Sequence, residues 1–385
     1  MKEDLENIVQ SFGAPFSGCQ NFEVLENGDM IFSHMLSRIE AAQNYILFET
    51  FIYWNGKIAQ QFTDALIKKA KEGVKCYVIF DGYGCQKVDQ EMIQKMLDNG
   101  IELTFFNPLT WSNFFGQKPL NQRTHRKILI IDGKDGYIGG VGVADKWMGN
   151  ASNPSEWRDL HFYIQGRVLN DLQSAFLDNW MEYETAEIDP SLLYYHPEDD
   201  KAGDPANIIM SSPSAKHNNL NKLIKLAINK SKKSLKIMTP YFIPSHETLQ
   251  ALKKAAKRGV DVQIIIPGQF IDQKIVTYCS RYFWLECIQS GIKLFRYQPT
   301  FNHSKVFLID DNWVSVGSSN FDYRSLKLNE EANLNVLSQK VARKVKSIFE
   351  KDKKLSKPVS EEELINRPFA TKLLDWLASS LRRVL

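Results

Sequence analysis

The apolar positions of this chain follow one order of elements, used twice. Ile58, Phe62, Ala65, Leu66 and Ala70 recur at helical spacing and make one stripe of a helix. Gly73 ends it, because glycine takes up left-handed backbone at a helix terminus without strain, and residues 74–80 then read as a strand. Leu249, Leu252, Ala255 and Ala256 repeat the stripe, Gly259 ends that helix, and 260–266 read as the matching strand. Each series continues through a shorter helix ending at Gly100 or Gly291 and a strand over 101–106 or 292–297. Each closes on an unbroken apolar run, Ile128-Leu129-Ile130-Ile131 and Val306-Phe307-Leu308-Ile309. Short runs without alternation suit strands buried on both faces. The pattern predicts an α/β protein of two lobes, each a mixed sheet flanked by helices, joined as a pseudo-dimer.

The break between the two series falls in 187–213, where Pro190, Pro197, Pro205 and Pro213 accompany the acidic run Glu198-Asp199-Asp200. We therefore expect lobes over 1–195 and 206–355, with a separate tail over 361–385. With 385 residues and 43% apolar content the chain can build two cores of ordinary size. Its net charge of +3 is too small to argue for a nucleic-acid partner. Five cysteines, odd in number and without metal-ligand spacing, point to free thiols in a reducing compartment. The start Met1-Lys2-Glu3-Asp4 lacks an apolar signal core, and no apolar stretch is long enough to span a bilayer. Any membrane contact is expected to be peripheral.

The candidate chemistry lies where each series ends. His125-Arg126-Lys127 and His303-Ser304-Lys305 lead into the apolar runs, which close on Asp132 and Asp310. Both octads read His-x-Lys-x-x-x-x-Asp, and both are followed at equal distance by a small pair, Gly139-Gly140 or Gly317-Ser318. Alternation on a strand sets His125 beside Lys127, and His303 beside Lys305. A compact ammonium and a neutral imidazole projecting together suit a phosphate, the imidazole serving as nucleophile or proton carrier. The glycines permit close backbone approach to a bound anion. Two complete copies argue for a duplicated half-site and against a non-catalytic lipid-binding scaffold. Asp132 and Asp310 join the candidate catalytic set by position, although a hydrogen bond that fixes the motif loop is the favoured reading for both. His161 and His246 have no partner pattern and read as structural. Glu49, at the end of an apolar strand, is a candidate pocket-lining group. No Asp/Glu/His cluster shows metal-ligand spacing, so no metal or other cofactor is expected.

The twin octads resemble those of the phospholipase D superfamily, and the likeness runs from roughly Phe22 to Val336. Within it the chain is most similar to bacterial cardiolipin synthases of the short type that lack amino-terminal membrane spans. The segments Leu47-Phe48-Glu49-Thr50-Phe51-Ile52-Tyr53-Trp54, Trp157-Arg158-Asp159-Leu160-His161, Thr239-Pro240-Tyr241-Phe242 and Ser318-Ser319-Asn320-Phe321-Asp322-Tyr323-Arg324-Ser325 carry that likeness. The resemblance implies that both octads meet between the lobes, with His125 as nucleophile and His303 as general acid and base. Lys127, Lys305 and Asn320 would then hold the phosphoryl oxygens. It also implies an acid past each octad that reaches the other half's histidine, Asp159 for His303 and Glu331 for His125. Glu331 is preferred to its neighbour Glu330 because it fits an Asn-x-Glu-x-Asn run at Asn329 to Asn333. One departure stands out. The family usually has Asn two residues after the small pair, and Asn320 satisfies this, but the first half has Gly142.

The activity so implied is phosphatidyl transfer between two phosphatidylglycerol molecules, giving cardiolipin and glycerol through a phosphohistidine, with phosphatidylethanolamine as a second candidate donor. Hydrolysis of the same intermediate, as by a phospholipase D, and a nuclease of the same superfamily are the competing readings. The modest charge and the lack of a basic stripe with interleaved aromatics weigh against the nuclease. The implied partners are phospholipids and a membrane surface, at the cytoplasmic face of a bacterial membrane, without nucleic acid or an obligate protein partner. Two segments fall outside the repeat. Residues 108–123 carry Trp111, Phe114 and Phe115. The tail sets Phe369, Leu373, Leu377 and Leu381 on one helical face, with Lys372, Arg382 and Arg383 for charge. Either could meet lipid; equally, the insertion could form a satellite core and the tail could pack on its own domain.

Overall fold

The computed structural model describes residues 14–108, 122–183, 188–189, 202–212 and 219–382. Trp111, Phe114 and Phe115 of the insertion lie outside the described residues. So do the first four residues, Pro190, Pro197 and Pro213 of the boundary segment, and Arg383, Val384 and Leu385 of the tail.

Two sheets carry the fold. The seven-stranded sheet runs Asn21–Glu26, Leu160–Gln165, Asp135–Gly139, Ile128–Ile131, Tyr45–Thr50, Lys75–Asp81, Glu102–Phe106. The nine-stranded sheet runs Ser17–Cys19, Asp204–Ser211, Glu331–Leu337, Trp313–Gly317, Val306–Ile309, Ser234–Met238, Asp261–Pro267, Lys293–Tyr297, Ser356–Pro358. Apart from the outermost strand at each edge of the larger sheet, the two orders correspond strand for strand. Each octad strand is flanked by antiparallel neighbours. Beyond it the pairing turns parallel, which requires crossover helices. Lys57–Lys71 and Gln90–Asp98 supply them in the first lobe, with His246–Lys257, Lys274–Arg281 and Trp284–Gln289 in the second. Gly73, Gly100, Gly259 and Gly291 leave these helices at φ of 92, 80, 88 and 86°, where a Cβ would cost about 1–2 kcal/mol.

The absence of alternation in the octad runs has a direct cause. Ile128, Ile130, Val306 and Leu308 point into one core shared by both sheets. Leu129 and Ile131 face the first lobe's outer cluster, and Phe307 and Ile309 face the second's. Because the lobes share a core, the two octads are held in a fixed mutual position.

Two bounds differ from those expected. Ser17–Cys19 comes first in the chain yet pairs antiparallel with Asp204–Ser211 of the second sheet, and that strand begins inside the stretch expected to divide the lobes. Ser356–Pro358 pairs with Lys293–Tyr297 and carries the second lobe past residue 355. Both short strands cover edges of the larger sheet. Three-residue segments are too brief for period-2 alternation to announce them.

Candidate active site

His125-Arg126-Lys127 and His303-Ser304-Lys305 precede their strands and reach the junction of the lobes. Reciprocal backbone hydrogen bonds lock them there. His125 N–H donates to the Glu330 carbonyl at 2.8 Å, and Glu330 N–H donates to that of Arg123 at 2.8 Å. His303 N–H donates to the Arg158 carbonyl at 2.7 Å, and Arg158 N–H donates to that of Phe301 at 2.9 Å. Each histidine is thus tied to the residue preceding the other lobe's acid. The side chains repeat the crossing. His125 Nδ1 lies 3.0 Å from Glu331 Oε1, and His303 Nδ1 lies 2.8 Å from Asp159 Oδ2. Glu330 turns instead to Arg126 Nη2, at 2.8 Å.

The two acids are held by different means. Asp159 accepts from Trp147 Nε1 at 3.0 Å and from Leu160 N–H at 2.8 Å. Glu331 accepts from the Ser318 hydroxyl. Ser318 corresponds to Gly140 in the first half, where a Cβ would stand 2.6 Å from the Asp159 carboxylate. The first half therefore leaves out the side chain at that position and takes its donor from an indole. Trp147 is a site residue that sequence reasoning missed; nothing in its spacing announces the contact.

The histidines are 7% exposed, the lysines 3% and the acids not at all, so little water screens these charges. Burial pushes His125 down to about 4, against the pull of Glu331. Burial, with Lys305 adding to it, also pushes His303 down to about 4. Burial lowers Lys127 to about 7 and Lys305 to about 8. It works against ionising Glu331 and Asp159, yet the facing imidazoles and lysines hold both below the ordinary carboxylate range. The site therefore carries two carboxylates, two neutral imidazoles and two lysines held well below their ordinary range.

The histidines are not equivalent. Lys305 Nζ lies 3.1 and 3.2 Å from the ring nitrogens of His303 and 2.8 Å from its carbonyl. Lys127 Nζ bonds only the His125 carbonyl, at 2.7 Å, which leaves His125 Nε2 without a hydrogen bond among the described residues. Phe51 lies against the His125 ring, and Trp147, Trp157 and Phe301 surround that of His303. Asn320 is buried, with its Oδ1 unpartnered among the described residues. At Gly142 a Cβ would come 2.9 Å from the Ile52 Cβ, so a side chain there would have to displace Ile52, and Asn320 has no counterpart in the first half.

Asp132 and Asp310 sit at the far ends of the octad strands, which corrects their place in the catalytic set. Both adopt left-handed backbone, with φ of 52 and 51°. Asp132 accepts from the backbone N–H of Gln43, Asn44 and Tyr45 at 2.7–2.9 Å. Asp310 does the same for Lys232, Lys233 and Ser234 at 2.7–3.0 Å. A short carboxylate that tolerates this backbone clamps the turn entering the neighbouring strand. Replacing either by alanine is expected to lower stability by about 1–3 kcal/mol while folded enzyme keeps its turnover, as denaturant titration beside a rate assay would reveal. A large loss of rate at an unchanged unfolding midpoint would contradict this.

Glu49 accepts from the Thr124 hydroxyl and from Asn179 Nδ2, and burial pushes it up to about 7. With Lys127 and His161 it borders a hollow of about 10 Å³, space for a water at most. Glu49 therefore lies beneath the site rather than at its mouth. His161 packs under Gly139, where a Cβ would meet its Nδ1 at 2.7 Å. His246 lies in the second lobe, by a separate surface hollow. Among the described residues no group of three or more His, Cys, Asp or Glu could hold a metal ion, and no helix is long and apolar enough to cross a membrane.

Paired imidazoles, ammonium groups and crossed carboxylates at the junction of two like lobes define a phospholipase D-like protein. The family described as "Cardiolipin synthase, PLD-like domain" matches residues 35–152 and 224–353, and the chain belongs to it. It is 34% identical to the cardiolipin synthase of Alkalihalophilus pseudofirmus, over 94% of this chain and 71% of that protein. It is 33% identical to cardiolipin synthase 1 of Bacillus anthracis, over 96% of this chain and 74% of that one. The fold is similar to that of phosphatidylserine synthase from Haemophilus influenzae Rd KW20, with a TM-score of 0.77 at 14% identity, covering 99% of this chain and all of the other.

Proposed function

We propose that this protein is a cardiolipin synthase. It transfers a phosphatidyl group from one phosphatidylglycerol to the hydroxyl of another and releases glycerol. It works as a peripheral enzyme at the cytoplasmic face of the membrane, where its five buried free cysteines suit a reducing compartment. The observation that carries the reaction is the reciprocal pairing of each imidazole Nδ1 with the other lobe's carboxylate. It fixes the tautomer and keeps both Nε2 atoms off the carboxylates, that of His125 unengaged among the described residues and that of His303 beside Lys305 Nζ.

In the first step His125 Nε2 attacks phosphorus, a P–N bond forms, and the P–O bond to glycerol breaks. His303, protonated, gives its proton to the departing oxygen. In the second step the acceptor hydroxyl gives its proton to His303 and attacks phosphorus, and the P–N bond breaks. Dividing one hard displacement into two is the gain from a covalent intermediate. The unengaged Nε2 of His125 supports its part as nucleophile, and the ionised Asp159 beside His303 supports the imidazolium that the acid requires. A bound phosphodiester anion raises the proton affinity of His303 and of both lysines. Lys127, Lys305 and the Asn320 amide hold the non-bridging oxygens and stabilise the charge of the transition state.

The pH dependence follows from these shifts. Attack needs neutral His125, so kcat/KM falls on the acid side towards about 4. Leaving-group protonation needs protonated His303 and phosphate binding needs charged lysines, so kcat/KM already declines as pH rises above about 4 and falls more steeply through about 7 to 8. In the complex the anion raises the lysines, so the alkaline limb of kcat lies at higher pH than that of kcat/KM. Profiles on short-chain phosphatidylglycerol at low and saturating concentration check this, and a kcat/KM flat across pH 7–9 would contradict it.

The overall reading is tested with vesicles of labelled phosphatidylglycerol in the presence of chelator. Cardiolipin and free glycerol in equal amounts are expected. Phosphatidic acid as the main product would instead make the protein a phospholipase.

A further inference from the structure

The tail holds its helix the opposite way round from an ordinary amphipathic helix. In Phe369–Ser380 the residues turned towards the protein are Asp375, Ala378 and Ser379, all buried. Asp375 is gripped by two guanidinium groups. Arg281 reaches it through Nη2 at 2.7 Å and Nε at 3.0 Å, and Arg367 through Nη1 at 2.5 Å. Outward stand Phe369, 78% exposed, Trp376, 57%, and Leu377, 50%, with Leu373, Leu374 and Leu381 beside them. A surface helix normally buries its apolar stripe and exposes its charge. Here a charge cluster seals the inner face and presents the stripe to the outside.

The partner helix continues the patch. The tail helix packs on Lys274–Arg281, which adds exposed Ile275, with Tyr282 just beyond. Asp272, two residues before Lys274, bonds the Tyr241 hydroxyl and lies close enough to raise the proton affinity of both His303 and Lys305. The start of this helix thus lies within electrostatic reach of the second half-site.

Positive charge borders the patch. Lys274, Lys372 and Arg382 are exposed. Arg382 also lines a hollow of about 150 Å³ with His246 and Lys327. The carboxylate on that wall, Glu247, is neutralised by Lys225. A monomeric protein rarely leaves so many large apolar side chains together in water. A second copy fits poorly, because in a two-fold interface each patch meets its own image and the basic border would face itself.

We propose that the outward face of Phe369–Ser380, together with Ile275 and Tyr282, is the surface by which the enzyme docks on an anionic phospholipid bilayer. Phe369, Trp376 and the leucines enter the headgroup–acyl boundary, and Lys274, Lys327, Lys372 and Arg382 meet lipid phosphates. The inference deepens the reading of a lipid transferase and rests on it. Docking here sets the site mouth at the bilayer face, so a lipid headgroup reaches the histidines while its chains stay in the membrane.

The test uses the full chain and a variant with Leu373→Glu and Leu377→Glu, both at exposed positions. Flotation is measured with phosphatidylglycerol vesicles and with phosphatidylcholine vesicles. Turnover is measured on the former and on dihexanoyl phosphatidylglycerol below its micelle concentration. The unsubstituted enzyme is expected to float with the anionic vesicles only, and brominated lipid should quench a fluorescence component that the Trp376→Phe variant lacks. The double variant is expected to lose vesicle partition and vesicle turnover together, by about tenfold or more, and to keep its rate on the dispersed substrate within about twofold. Flotation equal to that of the unsubstituted enzyme would overturn the proposal. So would conversion of a dimer to a monomer by the two substitutions, which would make the face a self-association surface. An enzyme that floats through this face but converts no phosphatidylglycerol in either form would uphold the docking surface and refute the transferase reading.

Discussion

Exchanging His125 for alanine is expected to lower turnover by a factor of about 10⁴ or more, and His303→Ala by a comparable factor. In the proposed scheme the two imidazoles act in the same displacement, so the double variant should be little worse than either single one. A donor with nitrophenol as leaving group separates their roles. Nitrophenolate departs without a proton, so the His303→Ala defect should shrink markedly on that donor. The His125→Ala defect should persist, because no other nucleophile replaces the Nε2 left unengaged by the protein. Equal rescue of both variants would contradict the assignment.

The second large effect concerns the crossed carboxylates. Asp159→Asn and Glu331→Gln keep the shapes of the side chains and remove their charges, and each is expected to cost about 10²–10⁴ in kcat. The amides lose the charge that fixes the imidazole tautomer and supports imidazolium. The Asp159 charge raises the proton affinity of His303, so Asp159→Asn leaves the acid step harder to run at neutral pH. Its defect should therefore shrink on the nitrophenol donor, as that of His303→Ala does. Glu331→Gln acts on the nucleophile and should not be rescued. A loss below about threefold in both variants would make the carboxylates mere packing.

Much of this architecture was legible because the pattern occurs twice. The stripes ending at Gly73 and Gly259, and the apolar runs at 128–131 and 306–309, mark the repeated helices and strands of each lobe, while the order of strands within each sheet emerges only from the structure. The pairing of His125 with Glu331 and of His303 with Asp159 came from family resemblance. Spacing alone could not select Glu331 over Glu330, since both are buried and only tertiary structure turns one to His125 and the other to Arg126. Ser17–Cys19 was unreadable because its partner strand lies nearly two hundred residues away. Trp147 was missed for a similar reason, as its indole serves Asp159 only after the loop between them folds. The tail shows a different limit. Periodicity identifies an apolar face but not the direction in which it points, and that direction is set by Asp375 between Arg281 and Arg367.

The scheme turns on a phosphatidyl group carried by one histidine. Enzyme turning over labelled phosphatidylglycerol should be quenched at high pH, which preserves P–N bonds, then digested and mapped by mass spectrometry. The adduct is expected on the peptide that contains His125, and its label should be lost when excess unlabelled phosphatidylglycerol is added as a chase before the quench. Label on the His303 peptide instead, or product formation with no adduct on either peptide, would contradict transfer through His125.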